Sequence, residues 1–478
     1  MKKFYSIFNL RVLFATIIVM LACANFASAQ YLRTSYFMEG SQYRLQMNPA
    51  LAPAKGFVHL PAIGNVYASV RSNSLDLEDV WDIVENSHDA DYFLSNRFVN
   101  NLEDDNHAMI NSGTDVISVG WWQSKKSFWT INMSVKVDGG MNVNQGIFHF
   151  LRDMRGMSSI DYSNYVRDLG QHEVDVTAYT EIGVGYTRRF GDRFSAGLRV
   201  KGLLGLGNAN LKINKAIVKT NLEGVNPDIN WSDIKMEDVI NASGNATIEV
   251  DAQLESSFEG LEYETNQNGY IEDMKFETKH MGIAGLGAGF DVGISGRVIG
   301  GLSLSAALVD VGFIKWSRGA TQVARAKTDE MYFDTDNVDD VKLFTKIVGS
   351  NEALNADLLQ LTLDEEAAKA RTTKLAPSLV LGADYAFNRD KMSVGLLYTN
   401  RTGAVYNENE FTMSFNYNPS NFIGFTASYS PILCGGKTFG FAMKLGPLFL
   451  GTDYMYLGKN TKCCNAQFGL SIPLSARR

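Results

Sequence analysis

Hydrophobic alternation with a period of two runs through most of this chain, and it limits the fold more than any other feature. Across residues 286–298, Leu286, Ala288, Phe290, Val292, Ile294 and Val298 share one face, while Gly287, Gly289, Asp291, Gly293, Ser295 and Arg297 share the other. The pattern recurs in Phe194, Ala196, Leu198 and Val200, and almost without interruption from Leu379 to Ile472. Successive side chains of a strand point to opposite faces, so each such stretch describes a two-faced strand. The second face carries Gly, Ser, Thr, Asn and single charges, as a solvated lumen would. The apolar face often ends in an aromatic: Trp121, Trp129, Tyr186, Tyr385, Tyr398, Tyr417, Tyr429, Tyr456. Aromatic girdles of this kind mark the two interfaces of a membrane-spanning strand. The segments run to about ten residues, the length a tilted strand needs to cross a bilayer. A spanning sheet must pair every backbone group and therefore must close. With 43 Gly, 28 Phe and 20 Tyr against 9 Pro, composition favours strand over helix and an outer-membrane barrel over a secreted β-sandwich.

Fourteen strands are expected, at about 57–71, 114–123, 127–137, 174–189, 193–206, 282–298, 301–312, 376–387, 391–400, 410–418, 421–430, 437–445, 448–457 and 464–473. Every second connection is short: Ser124 to Lys126, Phe190 to Asp192, Ile299-Gly300, Asn388 to Asp390, Pro419-Ser420 and Gly446-Pro447. The others are longer. Short turns on one side and long loops on the other is the outer-membrane arrangement, with both chain ends in the periplasm. Helical spacing within Leu75 to Leu102 and over residues 338–371 predicts partly helical outer loops. Residues 207–281 carry 14 acids against 6 bases, and alternating pieces such as Ala246, Ile248 and Val250 are expected to prolong strands above the membrane.

The first 29 residues read as a secretory signal: Lys2, Lys3 and Arg11, then an apolar stretch from Val12 to Met20, then Ala27-Ser28-Ala29 before Gln30. Residues 30–56 are then an N-terminal periplasmic or plug segment, and 57–478 the barrel. The net charge of −8 argues against a nucleic-acid partner. Three cysteines follow the signal, too few for a disulfide scaffold. By loop parity Cys434 emerges on the same side as Cys463 and Cys464, which permits one pairing with a third thiol left over. Hydrolase elbows, zinc-protease motifs and phosphate-binding loops are absent from the sequence, so the chain reads as non-enzymatic, without cofactor or metal. His59, His88, His107, His149, His172 and His280 fall in loops or near strand ends and are expected at the surface.

Just before the first strand stands Gln46-Met47-Asn48-Pro49-Ala50-Leu51-Ala52-Pro53. Asn caps a turn and Pro fixes φ, so the pair shapes a tight element. Here the chain resembles the FadL-like family, the long-chain fatty-acid transporters of the outer membrane and their relatives, including uncharacterised Bacteroidetes-type and secretion-associated members. The resemblance implies a fourteen-stranded barrel and a plug carrying Asn48, Pro49 and Ala50. The chain departs from the family by continuing past Ile472-Pro473-Leu474 to Ser475-Ala476-Arg477-Arg478, instead of ending on an aromatic residue.

Two function classes follow. One is a plugged, porin-like transporter for hydrophobic or amphipathic small molecules, with Arg199, Lys201, Asp291, Arg297, Asp384 and Lys444 expected to face the lumen. The other is a non-enzymatic barrel for surface binding or secretion-linked protein assembly. A lateral opening or an apolar tunnel favours the first, and a sealed lumen with projecting helical loops the second. Outer-membrane lipid and the barrel-assembly machinery are expected partners in either case. On the lipid face, Phe290→Arg or Phe425→Arg is expected to be costly, and Arg at Gly289 or Thr426 cheaper because it would meet water.

Overall fold

In the computed structural model the described residues are 32–76, 79, 82, 86, 92–234, 242–276, 282–326, 330–349, 356–433, 436–454 and 462–476. They form a closed antiparallel barrel of fourteen strands. In chain order the wall is β1 (Lys55–His59 and Val66–Ser72), β2 (Asp105–Trp122), β3 (Ser127–Asn144), β4 (His172–Phe190), β5 (Phe194–Glu223), β6 (Gly285–Ile299) and β7 (Leu302–Trp316). It continues with β8 (Ser378–Phe387), β9 (Met392–Thr402), β10 (Asn407–Tyr417), β11 (Ile423–Leu433), β12 (Gly436–Leu445), β13 (Leu448–Thr452) and β14 (Cys463–Ala476). Each strand pairs with its sequence neighbours, and β14 closes on β1 through Val58↔Ile472 and Val66↔Phe468. Strand count, order and alternation of loop lengths are those expected from the sequence.

The lipid face is the one the alternation marks. Leu198, Val200, Leu286, Phe290, Ile294, Leu381, Tyr385, Val394, Phe415 and Phe441 all point outward and are exposed. This apolar belt around a closed wall is the signature of an outer-membrane barrel. In two of the short turns glycine supplies a left-handed residue, Gly300 at φ 51 and Gly446 at φ 60, whereas Asn388, Arg389 and Asp390 take positive φ in the turn between β8 and β9.

Two features of the wall differ from a regular cylinder. β1 loses its ladder between His59 and Val66, where Leu60-Pro61-Ala62-Ile63-Gly64 bulges outward. The bulge keeps its backbone satisfied: Leu60 N donates to Leu470 O, Ala62 N to Asp115 O, and Tyr43 Oη to Gly64 O. In β7, a bulge places Asp310 at φ 57, so Val309 and Asp310 both face inward.

Above the membrane, β3, β4 and β5 run on. The outer half of β5 pairs with Ser243–Phe258, which pairs in turn with Thr321–Ala326 and Glu330–Asp334. Against this sheet pack helices Gly146–Met154 and Val338–Val348, burying Phe98, Phe148, Val218, Trp231, Ile248, Phe333 and Phe344 in one core. Ala246, Ile248 and Val250 do lie on a strand above the membrane. The helix expected across 338–371 stops earlier: after Ala356–Leu359 come a short strand, Leu361–Leu363, a turn, and a second strand, Arg371–Lys374. Pairing of these strands with Thr321–Ala326 and β7 overrides the helical preference of the Ala/Glu-rich run. In the stretch from Leu75 to Leu102, Leu77, Val80, Trp81 and Val84, which carry the helical spacing, lie outside the described residues; the described part holds a 3-10 turn, Tyr92–Leu94, and the short helix Asn96–Val99.

Candidate functional site

The lumen collects the buried charges of the wall, and the N-terminal segment lies inside it. From Leu32 to Pro53 the chain makes two 3-10 turns, Arg33–Ser35 and Tyr43–Gln46, and is almost wholly buried. Its first end is held by Asp453, whose carboxylate accepts from Arg33 N at 3.0 Å, Thr34 N at 2.9 Å and Thr34 Oγ1 at 2.8 Å. The Arg33 guanidinium also pairs with Glu410. At the periplasmic end Lys444 donates to Gly40 O and to Asn421 O.

Asn48, Pro49 and Ala50 seat in a notch of the wall. Asn48 is fully buried; its Oδ1 accepts from Ala50 N at 2.9 Å, closing a local turn, while Nδ2 reaches Tyr36 Oη at 3.2 Å and Ile294 O at 3.3 Å. Pro49 O accepts from Thr187 Oγ1 at 2.6 Å and Ala50 O from Ser195 Oγ at 2.9 Å. The notch exists because Gly197 and Gly293, paired in register, carry no side chain. A Cβ on Gly197 would stand 2.1 Å from Pro49 O, and one on Gly293 2.1 Å from Asn48 Oδ1.

Of the lumen charges expected from sequence, three come together. Lys201 is buried with its Nζ 2.6 Å from both Asp291 and Asp310 and 3.5 Å from Glu181. Arg199 lies 3.5 Å from Asp291 and donates to Leu45 O of the N-terminal segment at 3.2 Å. Lys136, not singled out from sequence although it alternates correctly in β3, completes the cluster at 2.7 Å from Glu181. Asp310 faces inward through its bulge, which no periodicity reports. The other three candidates lie elsewhere. Arg297 is half-exposed near the periplasmic turn of β8 and β9, 3.0 Å from Asp390, so it faces the rim rather than the lumen centre. Asp384 is part-buried on β8, and Lys444 holds Gly40.

A second network crosses the lumen. Arg71 on β1 pairs with Glu408 on β10, and Arg401 on β9 reaches Asn111 on β2 at 3.0 Å and Asp138 on β3 at 2.6 Å. The hairpin between β9 and β10 leans the same way: Tyr406 stacks on His107 of β2 with ring centroids 4.6 Å apart. Bonds between strands on facing walls leave little room between them. Much of the described lumen face is packed; Asn416, Thr426 and Gln467 are all buried. The expectation that Arg at Thr426 would meet water is therefore overturned, because Thr426 donates to Asn416 at 2.9 Å in a filled interior.

Two histidines expected at the surface are buried instead. His59 lies in the lumen with Nδ1 2.7 Å from Asp115 Oδ2. His172 is enclosed in the outer core, where burial pushes its pKa down to about 4. A polar partner such as Asp115, 56 residues away, is what sequence position alone could not supply for His59. Cys463 is buried beside Tyr454 and Cys464 points outward, while Cys434 lies outside the described residues, so the pairing expectation rests there. His88, His280 and Tyr456 also lie outside them.

No curated protein matches this chain in sequence. Among solved structures it is similar to the Ralstonia pickettii toluene transporter TbuX, at 9% identity over 94% of this chain and 95% of that one, with a TM-score of 0.37. It is also similar to the P. putida toluene transporter TodX, at 10% identity over 92% and 94%, TM-score 0.35. A third is the monoaromatic hydrocarbon channel CymD, at 8% over 94% and 93%, TM-score 0.31. The fold itself is a closed fourteen-stranded barrel with an N-terminal segment in its lumen. A family model described as of unknown function, DUF5723, matches residues 49–453, and the chain belongs to that family.

Proposed function

We propose that this protein is a plugged transporter of the outer membrane for hydrophobic or amphipathic small molecules, with residues 32–53 as the movable plug. One observation carries the reading. In a mainly polar lumen, Tyr36, Phe37, Met47 and Leu51 of the plug cover an apolar patch of the wall formed by Ala307, Val309, Val380 and Leu397. A shift of the plug uncovers that patch, which then offers an apolar surface to a passing molecule. The plug is tied at discrete points, Asp453, Lys444 and the glycine notch, each breakable without unfolding the wall. The break in β1 adjoins it, through Tyr43 and Gly64.

The test is deletion of residues 30–54. The barrel is expected to insert and to conduct in planar bilayers, and vesicles with a lipopolysaccharide outer leaflet are expected to take up a fluorescent alkyl probe faster. Unchanged conductance and uptake would remove the plug reading. A second reading, a barrel for surface binding or protein assembly, is favoured by the packed outer core and by the filled lumen. It predicts that the same deletion leaves uptake unaltered while loss of the outer domain abolishes function.

A further inference from the structure

At the periplasmic end of β2, β3 and β4 the outward row of side chains turns from apolar to aromatic and then to charged. Ile182, Val184, Tyr186, Arg188 and Phe190 alternate along the outer face of β4, and all but the half-buried Tyr186 are exposed. Trp121, Trp129 and Tyr186 pair in register across the three strands, with the rings of Trp129 and Tyr186 4.7 Å apart. A row of this kind sits at head-group level. Arg188 is the next outward residue after it, so a guanidinium stands in the lipid face of the wall at the depth of the phosphates.

Its protein partners do not neutralise it. Arg188 Nη1 donates to Ser127 Oγ at 3.0 Å and to Tyr186 Oη at 3.3 Å, both uncharged. Among the described residues no carboxylate pairs with Arg188, and its Nε and Nη2 have no acceptor. That leaves most of a planar donor fork whose geometry matches a phosphate. The turns beside it add charge of the same sign. Arg189 N donates to Lys126 O at 2.8 Å, so the turn between β2 and β3 lies against the end of β4. Residues 123–126 and 188–193 together hold five cations, Lys125, Lys126, Arg188, Arg189 and Arg193, against one acid, Asp192, in a chain of net charge −8. Arg189 alternates to the inner face, its guanidinium carbon 5.2 Å from the centre of the Trp122 ring. Lys125, Lys126 and Arg193 are exposed, and among the described residues none of them pairs with a carboxylate.

We infer that the periplasmic end of β2 to β4 is a binding site for an anionic glycerophospholipid of the inner leaflet, with its phosphate on Arg188 and an acyl chain along Val184 and Ile182. The partner is a lipid and not a soluble acidic protein, because the row that carries Arg188 continues into the apolar belt, which only acyl chains cover. A zwitterionic lipid brings an ammonium group to Lys125, Lys126 and Arg193, whereas a head group of net negative charge is attracted by all of them. The inference is independent of whether the barrel transports.

The experiment is quenching of tryptophan fluorescence by dibrominated phosphatidylglycerol in vesicles of phosphatidylcholine that hold the mature protein, and by the reverse pair of lipids. Trp121 and Trp129 are the lipid-facing tryptophans among the described residues, so quenching reports the lipid at this site. Phosphatidylglycerol is expected to be preferred by roughly fivefold, and Arg188→Gln is expected to bring the ratio close to one. Lys125→Gln combined with Lys126→Gln is the second variant and is expected to lower the ratio, so a folding failure in either leaves the other to decide. Arg389→Gln combined with Lys391→Gln, in the turn between β8 and β9, is expected to leave it unchanged. Excess inorganic phosphate at constant ionic strength is also expected to leave it unchanged. Equal quenching by the two lipids, or a preference that survives the substitutions at this site, would overturn the proposal. So would an equal fall in the Arg389 and Lys391 variant, the mark of diffuse charge around the rim, or a preference abolished by phosphate, the mark of a site for the free anion.

Discussion

Asp453 holds the N-terminal segment through three hydrogen bonds, and replacing it by Asn tests the proposed plug directly. The carboxylate accepts two backbone amides and one hydroxyl from Arg33 and Thr34, at 2.8 to 3.0 Å, and is almost completely buried. Asn at this position keeps one acceptor oxygen and turns an NH2 toward donors that cannot accept it. Hydrogen bonds to a charged group are worth about 1.5–3 kcal/mol each, and such losses are not additive. Two of them weakened together give about 3–4 kcal/mol less seating energy. At about 1.4 kcal/mol per tenfold, the open population of the plug rises roughly 10²- to 10³-fold. Thr34→Val removes one such bond, about 1.5–3 kcal/mol, and is expected to raise it roughly 10- to 100-fold. The assay is opening frequency in single-channel recordings from planar bilayers, with heat-modifiable migration on gels showing that both variants are folded. If Asp453→Asn, folded, opens no more often than the wild type, Asp453 does not latch the plug and the energetic argument fails.

Other outcomes follow from the same structure. Lys201→Met leaves Asp291 and Asp310 buried without their shared cation and is expected to destabilise the barrel by about 3–5 kcal/mol in urea titration; a loss under 1 kcal/mol would mean that water reaches the cluster. Phe290→Arg, on the exposed lipid face, is expected to cost roughly 2–4 kcal/mol if the residue lies at the midplane, and Phe290→Leu little; equal costs would remove the face assignment. His172 is held neutral by burial, with a pKa of about 4, below that of an unfolded histidine. Between pH 6.5 and 4 the unfolded state therefore binds more protons, and stability of the outer domain falls as pH drops through that window, by on the order of 3 kcal/mol. Limited proteolysis at pH 4.5 and 7.5 checks this, and His172→Leu is expected to flatten the difference.

The wall was legible in the sequence because lipid and lumen impose opposite demands on neighbouring residues. Phe290 and Asp291 cannot exchange faces, so β6 and its neighbours declare themselves residue by residue. The long connections declared their side but not their fold. The outer sheet depends on Ser243–Phe258 finding β5 and Glu330–Asp334, which is long-range pairing with no local mark. Pro61 and Gly64 inside an expected strand were a readable sign of the break in β1, since Pro removes a ladder donor. Within the site, Arg199, Lys201 and Asp291 were visible as single charges on an otherwise small-residue face. The second network was visible as charges too, but not as pairs: Arg71 and Glu408 are 337 residues apart. Asp310 was hidden because a bulge, not a period, turns it inward.

The seam of the barrel joins its first strand to its last, and the plug is the stretch of chain immediately ahead of that first strand. It touches β4, β5, β6, β7 and β13. The segment is continuous with Lys55, which pairs with Ala476 across the seam, so one of its ends is fixed where the wall closes. Seated in the lumen, the segment ties that seam to strands away from it, as a cross-brace ties a frame. Gly197 and Gly293 then matter to the brace: an added methyl at either would stand 2.1 Å from Pro49 O or Asn48 Oδ1 and keep the brace from seating, so the loss appears as a weaker seam in a barrel that still forms.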